Sequence, residues 1–328
     1  MSDVAIARVC TLLKEERLTL VDLGSRGGFE SDFADIAPAI DAYGFEPDPE
    51  AFALLRGEAS PWRTATHLPY AISESNGPAT LYIPASPEGA SLRPHNEAMI
   101  PLYGYSNLHR DVKAIPIATR TLDSLRSAGE LPRVDALKID IEGIELEVLR
   151  ASPDVLADLL YIKVEGSFLE QRVGQATVWP LASFLIENRF RIIELHDIHR
   201  WRRRPLPAHP YVARHEMPYS RGEIAQVDLI AVKDPTDLNT PGDLVKLILI
   251  LASLGFFDSA TNALAARADL LGPEDERPDA LAILLRQWST ARGRSVARKE
   301  LRHALRTLVP LVRSRFGGLP APATDLPY

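Results

Sequence analysis

Cysteine is almost absent. Cys10 is the only one in 328 residues, so no disulfide can close within the chain and no cysteine-based zinc site can be built. Cys10 itself reads as a small apolar residue on a helix face. Long apolar runs are lacking too. The most apolar stretch, Leu244 to Phe257, contains Lys246 and falls short of the roughly 20 residues that a membrane span needs. The first 17 residues mix acids with bases and hold no apolar run of the signal-peptide kind, so a cytoplasmic protein is expected. Positive charge is in deficit, with 37 Lys and Arg against 44 Asp and Glu and a net charge of −7. No nucleic-acid partner is expected, because phosphate binding needs a basic face. Hydrophobic residues at 46% and charged residues at 25% are globular values that support a real core.

What the sequence does contain is alternation. A short amphipathic helix is expected over 4–16, then a strand from Leu18 into a glycine turn at Gly24. A helix over 31–40 leads to a strand ending at Gly44-Phe-Glu46. Asp48 and Pro49 then mark the cap and first position of a helix reaching Arg56. Short strands fit 67–73 and 79–83. Further strands fit Val134–Asp140, Leu159–Glu165, Phe190–Leu195 and Gln226–Val232, with helices at Glu145–Arg150 and 178–188. Strands and helices alternating at this spacing indicate an α/β fold with a doubly wound, mostly parallel sheet.

Such sheets bind ligands beyond the carboxyl ends of their strands. Gly24, Glu46, Asp140, Glu165 and His196 all fall there. Residues 84–117 read as a loop excursion over the site. Residues 196–222 read as another, with His196, His199, His209, His215 and the run Arg200-Trp-Arg-Arg-Arg204. After Pro235 only helices are expected, through about Phe316. The expected division is therefore an α/β domain over 1–235 and a helical C-terminal extension over 236–328.

Two elements point to an adenosine cofactor. Val21-Asp-Leu-Gly-Ser-Arg-Gly-Gly28 joins a strand to a helix. Its glycines allow close backbone approach to a ligand, and the helix start offers unpaired N–H groups. The spacing is G-x-x-G-G rather than the dinucleotide G-x-G-x-x-G. Glu46, at the end of the next strand, is placed to accept hydrogen bonds from both hydroxyls of a ribose. Helix capping explains Asp48 but not Glu46.

With a third block, Ala136-Leu-Lys-Ile-Asp-Ile-Glu-Gly143 followed by Glu145 to Arg150, the chain resembles the FkbM-type methyltransferases. Their pattern has a VD-G-N-G turn, a strand end reading FEP and a KIDVEG block. The supporting strings lie at 71–77, 121–125 and 164–166. The resemblance covers about residues 18–195. It implies a class I methyltransferase (Rossmann-like) fold with an antiparallel last strand, S-adenosylmethionine as cofactor, and O-methylation of a hydroxyl on a saccharide, polyketide or surface polysaccharide. Carried over by residue, Asp22 and Gly24 would frame the methionine end, with Ser25 and Gly28 as further cofactor-binding residues. Glu46 and Pro47 would hold the ribose, Ala71 and Ile72 would lie beside the adenine, and Asp140 would stand near the methyl group. The family has Ala-Asn where this chain has Ser25-Arg26. A guanidinium close to a cationic sulfonium is unfavourable unless it points away.

The acidic block suggests the chemistry. Lys138, Asp140 and Glu142 alternate along a strand end and are expected on one face. In methyl transfer to a hydroxyl, the enzyme aligns the oxygen and a base takes the proton. Asp140 is the first candidate, with Glu142 and His196 as further catalytic candidates. Capping the next helix is the structural role open to Glu142, whereas Glu145 and Glu147 read as solvated. His95, His109 and His199 read as packing or surface residues. Glu165 could complete an acidic cluster with Asp140 and Glu142 that contacts substrate. Such oxygens could hold Mg²⁺ or Ca²⁺, but acids are common at these strand ends without metal, and no metal ligand is assigned.

Arg200 and Arg202 could grip an anionic part of the acceptor, or the run could be a solvated loop. The tail from Arg286 to Phe316 is basic, with Leu301, Leu305, Leu308 and Val312 on one helix face and Pro310 expected to kink it. It could pack on the catalytic domain, form a homo-oligomer contact or touch an anionic surface. The leading reading is a saccharide O-methyltransferase. The alternatives are a non-catalytic relative that uses the tail for assembly, or an adenine-dinucleotide oxidoreductase, against which the glycine spacing argues.

Overall fold

The structure, a computed structural model, describes residues 3–14, 17–55, 60–103, 110–204, 221–272 and 275–316. In chain order the elements are α1 (Asp3–Leu12), β1 (Leu18–Leu23), a 3-10 helix (Ser31–Ala39), β2 (Ile40–Phe45), α2 (Pro49–Leu54), β3 (Thr64–Leu68), β4 (Ala71–Ile72), β5 (Gly77–Pro84) and β6 (Asp111–Arg120). They continue with α3 (Leu122–Ser127), β7 (Ala136–Ile139), α4 (Glu145–Arg150), α5 (Pro153–Asp158), β8 (Tyr161–Ser167), α6 (Val178–Glu187), β9 (Phe190–Trp201), β10 (Glu223–Lys233), α7 (Pro241–Leu254), α8 (Phe257–Ala266) and α9 (Arg277–Phe316).

Seven strands form the main sheet in the order β3-β2-β1-β7-β8-β10-β9. β10 runs antiparallel to both its neighbours, and the remaining pairs are parallel. This is the class I methyltransferase arrangement. All six residues of β1 are buried, as expected of a parallel strand covered on both faces. One face packs Val21, Leu23, Leu137, Ile139, Ile162 and Val164 against the helices that follow β6, β7 and β8. The other packs Leu18, Leu20, Ala136, Tyr161 and Ile230 against the 3-10 helix, α7 and α9. On this second face the character changes toward the carboxyl ends. Leu20 is followed two residues on by Asp22, Ala136 by Lys138, and Tyr161 by Lys163 and then Glu165. The period-two alternation thus carries one row from core into charge, which places the charged site at the ligand-binding edge.

The helical C-terminal segment shares this core. α7 is buried nearly all round. Its one cation, Lys246, reaches both carboxylate oxygens of Asp135 at 3.0 and 3.1 Å. Asp135 also accepts the Thr19 N–H at 2.9 Å. Leu281, Leu284, Leu285 and Trp288 of α9 close the same cluster.

Four local expectations are corrected. Residues 31–39 form a 3-10 helix rather than an α-helix, with Pro38 inside it and Glu30 capping Ser31 and Asp32. Residues 84–117 are not all loop. β6 begins at Asp111 and builds a second sheet, β4-β6-β5; burial of only one of its side chains, Thr119, hides it from a hydrophobicity reading. β9 continues past Leu195 to Trp201, because pairing with β10 persists to Glu223 through register shifts near Gln226. α9 runs through Pro310 to Phe316.

Candidate functional site

A cleft of about 390 Å³ opens at the carboxyl ends of β1, β2 and β7, within the range of small-molecule sites. Asp22, Gly24, Gly28, Glu46, Pro47, Ala71, Ile72 and Asp140 all line it. Ser25 does not. Its side chain is fully buried, with Oγ 3.5 Å from His67 Nδ1. Gly24 has φ +84°, and an added Cβ there would overlap the Asp140 carbonyl. The turn after β1 and the end of β7 are therefore in backbone contact, which only glycine permits. Gly28, at φ +118°, meets nothing on the side where a Cβ would stand.

Asp22 is 1% exposed. Its Oδ2 accepts the Glu30 N–H at 2.8 Å. Its Oδ1 is buried without a hydrogen-bond partner among the described residues, and the Lys138 ammonium stands 3.4 Å away. Burial raises the Asp22 pKa against the opposing pull of Lys138. Lys138 also lies 3.3 Å from Asp140 and lines the cleft. Glu46 is 4% exposed and accepts the Asp48 N–H at 2.8 Å. Burial raises its pKa too, against the Asp48 N–H and the Arg26 charge. Asp48 caps α2 through the Glu50 N–H, as expected. It also takes Arg26 at 2.5 Å, while Arg26 donates to the Pro87 carbonyl at 2.8 Å. The guanidinium at the departure from the family pattern is thus neutralised.

Beside the cleft, carboxylate oxygens of Asp140, Glu142 and Glu165 all lie within 4.8 Å of one another. Glu142 does not simply continue the strand, because its φ is +61°. Nor does it cap α4. No side chain caps α4; Glu145, its first residue, instead accepts the N–H of Gly143 in the turn before it at 2.9 and 3.0 Å. Glu145, read as solvated from the sequence, is 5% exposed, and burial pushes its pKa up to about 7. Burial, reinforced by the Asp140 charge, raises Glu142. Burial, reinforced by Glu142, raises Glu165. Two neighbours temper the cluster. Gln226 Nε2 donates to Glu165 at 2.7 Å. Arg172, 1% exposed, stands 3.9 Å from Glu142 and 3.2 Å from Asp111. Sequence reasoning missed Arg172, and no spacing in its loop signals it. Lys138, which the sequence places on one face with Asp140 and Glu142, is a further cleft residue.

Three candidates stand apart. His196 lies on β9, three strands from β7 across the sheet, or about 14 Å at the usual strand spacing. Its Nδ1 is 3.5 Å from Glu194. Arg200 is four residues further along β9 and donates to the Gly222 carbonyl at 3.3 Å. Neither Arg200 nor the half-buried Arg202 lines the cleft. His95 is buried and His199 exposed, as packing and surface roles require. His109, His209 and His215 lie outside the described residues.

Comparison with known proteins gives a family. The profile described as "Methyltransferase FkbM domain" matches residues 22–210. The 2-O-methyltransferase NoeI of Sinorhizobium fredii is 28% identical over 188 residues, covering 54% of this chain and 74% of that protein. The hexuronic acid methyltransferase AglP of Haloferax volcanii is 28% identical over 153 residues, covering 46% of this chain and 56% of that protein. Among solved structures, precorrin-6y C5,15-methyltransferase from Geobacter metallireducens superposes with a TM-score of 0.34 at 15% identity, over 70% of this chain and 86% of that one.

Proposed function

Because the chain belongs to the FkbM methyltransferase family, we propose that it is an S-adenosylmethionine-dependent O-methyltransferase acting on a hydroxyl of a saccharide or related glycan. The carrying observation is that Asp140 belongs both to the cleft and to the carboxylate cluster beside it. One relative is named for 2-O-methylation and the other for methylating hexuronic acid, which supports oxygen as the nucleophile and a sugar as its carrier. S-adenosylmethionine supplies a methyl group on a positively charged sulfur.

The residues present fit that cofactor. The Oδ1 of Asp22, which has an ion-pair neighbour in Lys138 but no hydrogen bond among the described residues, is an acceptor for an ammonium group, and the open side of Gly28 leaves room for a ligand. Glu46 offers a buried carboxylate to a ribose diol, and Ala71 and Ile72 offer buried apolar contacts to an adenine. Lys138 holds Asp22 and Asp140 in place from between them. With its charge matched by Asp48, Arg26 gives no support to the non-catalytic alternative.

Asp140 is the group that orients the acceptor hydroxyl and takes its proton as the oxygen–methyl bond forms. Glu142 and Glu165, held toward their neutral forms, donate hydrogen bonds to neighbouring hydroxyls of the sugar. Gln226 and Arg172 already engage Glu165 and Glu142, and we assign no divalent cation. An anionic part of the acceptor would meet Arg200 and Arg202 on the β9–β10 hairpin, away from the reacting hydroxyl.

The test is turnover against a saccharide panel, with methylated product detected by mass. Asp140→Asn should abolish turnover and leave S-adenosylmethionine binding intact. Turnover that survives this change would remove Asp140 from the mechanism.

A further inference from the structure

The last long helix leaves the body of the protein partway along its length. Among the described side chains of α9, Trp288 is the last in the shared core. From Thr290 to Arg302 every residue is exposed, and Arg292 makes a hydrogen bond back to the body of the protein, at the Ser253 carbonyl, so this stretch gains little from packing against the rest of the molecule. Isolated helices of such length are marginal in water, which makes an external partner the natural source of stability.

Charge identifies the partner. Residues 286–316 hold nine of the 37 Lys and Arg and one of the 44 Asp and Glu. They therefore carry eight net positive charges, and the rest of the chain carries fifteen net negative ones. Apolar residues accompany the basic ones. Val296 and Leu301 are 51% and 62% exposed. The sequence repeats the pairing Leu301-Arg302 at Leu305-Arg306 and Val312-Arg313, one and then two helical turns further on, as on one helix face. A row of apolar positions beside a row of basic ones suits a helix lying in the plane of a bilayer interface. Nucleic acid would call for the basic row but not the apolar one.

We propose that α9 beyond Trp288 is a peripheral anchor for an anionic lipid surface, independent of the reaction assigned above. The acidic body does not oppose this. α9 extends about 40 Å past Trp288 at 1.5 Å per residue, several Debye lengths at physiological salt.

The test is co-sedimentation of the full chain with vesicles of phosphatidylcholine alone or mixed with phosphatidylglycerol, at low and high salt. The first variant combines Arg294→Glu, Arg298→Glu, Lys299→Glu and Arg302→Glu, all exposed positions. Arg292 is spared because it donates to the Ser253 carbonyl at 2.8 Å. The second is Leu301→Ser with Val296→Ser. The wild type should partition onto phosphatidylglycerol vesicles about tenfold or more over neutral ones, less at high salt. The charge variant should fall to the neutral level, and the serine variant should weaken binding, both with unchanged thermal midpoints. Equal partition onto both vesicles, or an unaffected charge variant, would overturn the proposal. So would a wild type that ignores vesicles but forms a dimer that the charge variant dissolves.

Discussion

Glu46 is buried, fixed by one backbone N–H, and turned to the cleft. Glu46→Gln keeps the shape and removes the charge. Cofactor affinity should fall by roughly 1.5–3 kcal/mol, the worth of hydrogen bonds to a charged group, while the thermal midpoint of the apo protein barely moves. A fall in midpoint without a fall in affinity would make Glu46 structural. Glu145 gives a pH prediction. Folded, it keeps its proton up to about 7; unfolded, it loses it near 4.5. The folded state binds more protons between those values, so stability falls as pH rises through that window. Glu145→Gln removes this titration. Its stability relative to wild type should improve by roughly 3 kcal/mol between about pH 4 and pH 8, at about 1.4 kcal/mol per unit. Parallel stability curves for the two proteins would refute the assignment.

Among the elements, the turn after β1 is the most constrained. Gly24→Ala must relieve an overlap with the Asp140 carbonyl and adopt a left-handed φ, the latter alone costing about 1–2 kcal/mol. The change should separate the β1 turn from the end of β7 and abolish cofactor binding. Calorimetry showing wild-type affinity would mean that the close approach is dispensable. This turn and the strands beneath it were legible in the sequence, because buried parallel strands read as continuous apolar runs and glycine marks the turn between them. The same cause explains most of the eight expected cofactor residues that line the cleft: Asp22, Gly24, Glu46, Pro47, Ala71, Ile72 and Asp140 lie at or beside strand ends, and Gly28 follows in the turn. Ser25, on the turn itself, escapes because a turn residue can point either way. The outer part of β9 and all of β6 were not legible, since each buries a single residue, Trp201 in the one and Thr119 in the other, and leaves no apolar face for the core to mark. Glu145 and Arg172 were missed for another reason. Their burial comes from loops packed over them, which local pattern does not encode.

For the whole molecule, the helical C-terminal segment is bound into the sheet. Lys246→Met should destabilise the protein by about 3–5 kcal/mol, because Asp135 would lose its buried partner. An unchanged denaturation midpoint would mean that Asp135 simply takes up a proton. A chain cut after residue 235 should fail to fold cooperatively, since α7 and α9 complete one hydrophobic cluster with β1. Turnover should survive a metal chelator, given that Gln226 and Arg172 already engage Glu165 and Glu142. Loss of turnover, restored by Mg²⁺, would turn Asp140, Glu142 and Glu165 into a metal site. The central claim is that the cleft at Gly24 and Glu46 holds S-adenosylmethionine, and titration calorimetry with that compound and with NAD⁺ tests it most directly. The account predicts one micromolar site for S-adenosylmethionine, none for NAD⁺, and loss of the site in Glu46→Ala. A folded wild type that binds neither compound, or a Glu46→Ala protein that binds as well as wild type, would contradict it.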